Sequence, residues 1–190
     1  MAQPHPRPFK RKVQSKPDAL VFDAGDCVTF PVSKSGGTIN PYFAKAEDDR
    51  LWTPDGFGAM AVLGRGHRHG IFAWYAVARL SLRSGQKPPL AKCAAAMIEA
   101  ESSLVDDRMG EKPRLAVFGG RLTPLVARKM RCEVVGRLEP NHAVIREDFG
   151  VFFTPTFVSG VCLANELTGY VGTRRPSTVP LTRYLTLKGG

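Results

Sequence analysis

The feature that most constrains this fold is a succession of short apolar runs, each interrupted by Gly, Pro or Asn within about eight to twelve residues. After FDAGDCVTFPV, FGAMAVL and IFAWYAVARLSL, the runs RLAVFGG, CEVVGRL, HAVIRED, FGVFFTP and TFVSGVCLANE follow one another in this way. Runs of that length suit strands, and their spacing is that of a small barrel or sandwich. One stretch departs from the pattern. In LAKCAAAMIEAESSLV, Ala and Glu dominate and the apolar positions recur at helical rather than strand spacing, just after Pro88-Pro89. The expected class is therefore α+β: a mainly antiparallel twisted sheet or small β-barrel, with one clear helix at about 88–104, while 121–131 is open to either a short helix or a strand.

A chain of 190 residues suits one domain and can bury a core without a disulfide or metal staple. Its net charge of +10 is unevenly placed. Residues 1–16 hold Arg7, Lys10, Arg11, Lys12 and Lys16 with no acid, and residues 173–190 hold Arg174, Arg175, Arg183 and Lys188 with none. The stretch between is close to neutral. This divides the chain into a basic, proline-rich tail (1–18) expected to be disordered, one α+β domain (19–172), and a basic C-terminal tail (173–190) where the apolar pattern thins. Basic tails attract phosphate backbones by salt-sensitive electrostatics, which makes nucleic acid the alternative partner. Lys10, Arg11, Lys12, Arg174 and Arg175 are its candidate contacts.

Cys27, Cys93, Cys132 and Cys162 lie far apart, form no CxxC pair and sit among apolar neighbours. They read as small buried thiols in a reducing compartment. No signal peptide and no apolar stretch long enough to span a bilayer is present, so a cytoplasmic protein without a membrane partner is expected.

The most charged short segment is Gly64-Arg65-Gly66-His67-Arg68-His69-Gly70, between two apolar runs. Its glycines are spaced GxGxxxG and a strand-like run follows, so it is not a dinucleotide fingerprint. It has no GK[ST] and is not a Walker loop. Its two histidines have no third ligand nearby, so no metal or cofactor is expected. A hairpin end carrying Arg and His donors remains, with Arg65, His67, Arg68 and His69 as candidate partner-binding residues. Asp23 and Asp26, which flank Ala-Gly, and the acidic cluster Glu47-Asp48-Asp49 could supply paired carboxylates for acid–base work, but they read as turn-forming residues. Ser33, Ser35, His142 and Cys162 fall in no nucleophile motif, and no catalytic residue is assigned.

Gly25-Asp26, Phe30-Pro31-Val32, Gly58, Val62-Leu63 and Phe72-Ala73-Trp74-Tyr75 form an ordered set: a Gly-Asp, a strand closing on Pro and an aliphatic residue, a Gly-containing strand, then an apolar–aromatic strand. In this set the chain resembles the immunity-protein-26 type family of bacterial toxin-immunity proteins. The connection 33–57 is longer than the family pattern has, and Ala61 stands where an Arg is common. The resemblance implies a small, mainly β domain that binds and neutralises a protein toxin without chemistry of its own. The expectation is thus a non-enzymatic immunity-type binding protein using exposed loops, the 64–70 loop and the 33–57 connection, with a small-barrel nucleic-acid-binding protein as the alternative.

Overall fold

A computed structural model describes residues 16–32, 54–100, 115–150 and 176–188. Its centre is a long hairpin of β2 (Gly56–Arg68) and β3 (Phe72–Ser84). β1 (Asp26–Val32) pairs with β2, and β6 (Glu133–Arg137) pairs with the other side of β1. β3 has two neighbours on its far side. Trp74 to Ala78 pair with β5 (Val117–Arg121), while Leu80 pairs with Ile98 of β4 (Met97–Glu99), which in turn carries β8 (Pro176–Pro180). Every pairing is antiparallel and the sheet does not close into a barrel. A small second sheet joins β7 (Glu139–Pro140) to β9 (Leu185–Thr186). The α+β class expected from the sequence is the class observed.

The central strands read as nearly unbroken apolar runs because both of their faces are covered, whereas a half-exposed strand would alternate. One face carries small residues: Cys27, Ala59, Ala61, Ala76 and Ala78, with Leu63, Trp74 and Leu80. Against it pack α1 (Leu90–Ala94), Ile145 of α3 (His142–Phe149), and Leu181, Tyr184 and Leu185 from the end of the chain. The other face is large and branched, with Val28, Phe30, Val32, Met60, Val62, Tyr75 and Val77. Phe22 covers it together with Leu122, Val126, Ala127 and Met130 in and around α2 (Pro124–Lys129). Alanines on one face let helices and irregular chain approach the sheet closely. Pro31 is accommodated because β6 pairs only as far as Thr29, so no neighbour on that side needs its missing donor.

The helices differ in extent from expectation. α1 begins where the sequence places it but spans only Leu90–Ala94, and the chain then enters β4. Strand pairing overrides helix propensity there: Ile98 is fully buried opposite Leu80, and Glu99 meets Arg79. Residues 101–104 of the expected helix lie outside the described residues. α2 falls within 121–131, started by Thr123, whose hydroxyl accepts from the Val126 N–H at 3.3 Å. HAVIRED, read as strand-like, is instead α3, capped by the Asn141 side chain, which accepts from the Val144 N–H.

Both terminal boundaries also change. Asp18, expected in the disordered tail, is fixed against the hairpin (below). The segment from residue 176 is no tail: it forms β8, a 3-10 turn (Leu181–Arg183) and β9, and it buries Leu181, Tyr184 and Leu185. Its prolines hide it from pattern reading, yet Pro176 and Pro180 suit a strand on the outside of a sheet. Among the described residues no helix is long and apolar enough to cross a membrane.

Candidate functional site

The segment 64–70 is mostly strand. Gly64 to Arg68 pair with Ala76 to Phe72, after a register shift at Val62/Gly64. The tip is His69-Gly70, both with positive φ (52° and 73°), closed by the Ile71 N–H donating to the Arg68 carbonyl at 3.2 Å. Positive φ at both central residues is the signature of the tight hairpin turn that suits strand twist, and Gly supplies it without strain. Arg65 and His67, two apart on a strand, point to the same face. Both are exposed, as is His69, while Arg68 is half-buried.

A strap formed by residues 18–25 holds this end of the hairpin. Asp18 donates its N–H to the Ile71 carbonyl (2.8 Å), and its carbonyl lies 2.8 Å from His67 Nε2. A carbonyl only accepts, so that contact places the proton on Nε2. The Asp18 carboxylate takes the Ala73 N–H at 3.2 Å and a forked pair from Arg121, at 2.9 and 3.1 Å. Arg121 also stacks over the Phe72 ring, 4.6 Å from its centroid. Further along, the Val21 N–H donates to the Tyr75 hydroxyl at 2.7 Å, and burial pushes that phenol above its ordinary value. Phe22 meets the Tyr75 ring edge-on, and the Gly25 N–H donates to the Val62 carbonyl at 2.7 Å.

A charge cluster closes the strap. Asp23 bridges Arg65 and Arg137, each at 2.6 Å, and Arg137 reaches Asp26 at 2.7 Å. The buried Asp26 also accepts from the Asp23 N–H at 2.7 Å. Asp26 and then Asp23, by hydrogen bonding to the Arg137 guanidinium, hold it more firmly protonated than usual. The two aspartates are engaged as turn and ion-pair groups, as their turn setting suggests.

Of the residues singled out, the structure brings Arg65, His67, Arg68 and His69 to one rigid hairpin end. His142 lies apart on α3. Lys10, Arg11, Lys12, Arg174 and Arg175 lie outside the described residues, as do Cys162 and residues 33–53 of the 33–57 connection, with Ser33, Ser35 and Glu47-Asp48-Asp49. Among the described residues no three His, Cys, Asp or Glu side chains are grouped to hold a metal ion. Sequence reading missed Asp18, Arg121 and Arg137, which hold the hairpin end. Asp18 gives no local signal because its partners Ile71, Ala73 and Arg121 are remote in the chain.

No family model matches the chain, and neither a curated protein nor a solved structure matches it.

Proposed function

We propose that this chain is a non-enzymatic binding protein of toxin-immunity type, engaging an acidic surface of a protein partner through the end of the β2–β3 hairpin. One observation carries the reading: exposed Arg65 and His67 stand on a strand end that Asp18, Arg121 and Asp23 already hold in place, with exposed His69 in the turn beyond them. A contact surface ordered before binding spares the cost of ordering it in the complex. Arg offers forked donors to carboxylates, and His adds a ring N–H donor. The N-terminal resemblance to the immunity family points the same way, since the hairpin lies inside the resembling segment.

The test is affinity capture from cells carrying the gene, followed by assay of whatever is held. A captured protein should be the product of an adjacent gene, be toxic alone, and lose its toxicity when this chain is added. Recovery of nucleic acid, with binding that falls steeply as salt rises, would replace the reading with the nucleic-acid alternative.

A further inference from the structure

Cys27 and Cys93 are distant in sequence but adjacent in the core. Cys27 lies on β1 opposite Ala61 on one side and Gly136 on the other. A Cβ at Gly136 would lie 2.6 Å from the Leu90 side chain, so α1 crosses directly over the rung that Gly136 and Cys27 share. Leu90 and Cys93 are three residues apart and share a helix face, which carries Cys93 onto Cys27. Both thiols are free, both are fully buried, and both belong to the same core cluster.

We propose that Cys27 and Cys93 are a redox-responsive pair, closing to a disulfide that ties α1 to β1 when a low-molecular-weight disulfide such as oxidised glutathione is present. Access comes from α1 itself, a five-residue helix whose N-cap, Pro89, makes no side-chain cap. A helix of five residues is little more than one turn, so its opening is a local event that leaves the sheet intact. Cys93, carried on the helix that opens, is the attacking sulfur, and a hydrogen bond from Cys27 favours its thiolate. The same bond, then burial and the charge of Cys93, hold the proton on Cys27. The Cys93 thiolate attacks the small disulfide, forming a mixed disulfide and releasing one small thiolate, which takes up a proton. Cys27, deprotonated as it attacks, displaces the second small thiol from the Cys93 sulfur. Two protein thiols are oxidised and one small disulfide is reduced to two thiols.

The experiment incubates the folded, reduced full-length chain with oxidised glutathione and maps its thiols by alkylation and peptide mass spectrometry. The expected product has lost two thiols and two hydrogens, contains a linked Cys27–Cys93 peptide, and melts at higher temperature than the reduced chain. In Cys27→Ser, glutathione should remain attached to Cys93 for want of a resolving thiol, and Cys132→Ser should behave as wild type. The proposal is overturned if both thiols stay free in the native chain, if either pairs with Cys132 or Cys162, or if the link forms only in denaturant. It is equally overturned if Cys27→Ser carries no glutathione on Cys93.

Discussion

Gly25 stands at the joint between the strap and β1, with φ +91°, and a Cβ there would overlap the Leu138 carbonyl oxygen. That carbonyl cannot withdraw cheaply, because the Leu138 N–H is itself bonded to the Gly25 carbonyl at 2.9 Å. Gly25→Ala should therefore cost about 3 kcal/mol or more in a urea titration, since backbone strain and overlap act together. A loss below about 1 kcal/mol, the usual cost of a surface change or less strained glycine, would mean the turn is built differently. Asp148 offers a second test. It accepts from Arg183 at 2.7 and 3.1 Å and from the Tyr184 hydroxyl at 2.8 Å, fastening α3 to the end of the chain. Those bonds, Arg183 first, hold its carboxyl below the ordinary aspartate range, whereas burial and then Asp148 push Tyr184 up to about 12. A carboxyl depressed in the folded state contributes stability that is full above its unfolded value, about 3.9, and is lost as pH falls through the lower folded value. The urea midpoints of wild type and Asp148→Asn should differ at neutral pH and converge in acid. A gap that persists unchanged to pH values well below that range would contradict the clamp.

β3 and β4 are joined across their rung by Arg79 and Glu99, 2.9 Å apart, with side-chain exposures of 4% and 7%. Truncating one member leaves a buried charge without its partner. Glu99→Ala should thus cost about 3–5 kcal/mol, whereas changing both residues to apolar ones of similar volume should cost much less. Equal losses from single and double variants, read by chemical denaturation, would show that the pair is not coupled. This pair also marks where sequence reading fails. IEA satisfies helix propensity as well as strand propensity, and only the neighbours β3 and β8 decide in favour of a strand. The β2–β3 hairpin was legible because two long apolar runs flank a Gly-rich turn. α3 was not, since its one buried position is Ile145, and the short apolar group Val144, Ile145 and Phe149 reads equally as part of a strand. At the candidate site the exposed Arg65, His67 and His69 were legible as composition. Their restraint by Asp18 and Arg121 was not, because it depends on partners more than forty residues apart.

For the molecule as a whole, the charge map carried the misreading of the C-terminus. Four basic residues without an acid resemble a solvated tail, yet Arg183 is spent on Asp148, and Leu181, Tyr184 and Leu185 close the alanine face of the sheet. Deleting residues 176–190 removes three fully or nearly fully buried apolar side chains, worth about 1.5–3 kcal/mol each. That sum approaches the entire stability of an ordinary domain, about 5–15 kcal/mol. The truncated chain should lose its cooperative thermal transition, and a native-like transition would contradict the packing described. The proposed function remains most directly testable at the hairpin end. Binding of the captured partner should be measured for wild type and for Arg65→Glu with His69→Glu, with thermal midpoints recorded alongside. Affinity should fall by about 2 kcal/mol or more, roughly thirtyfold, while the folded state persists. Undiminished affinity in a folded variant would show that the hairpin end is not the contact surface.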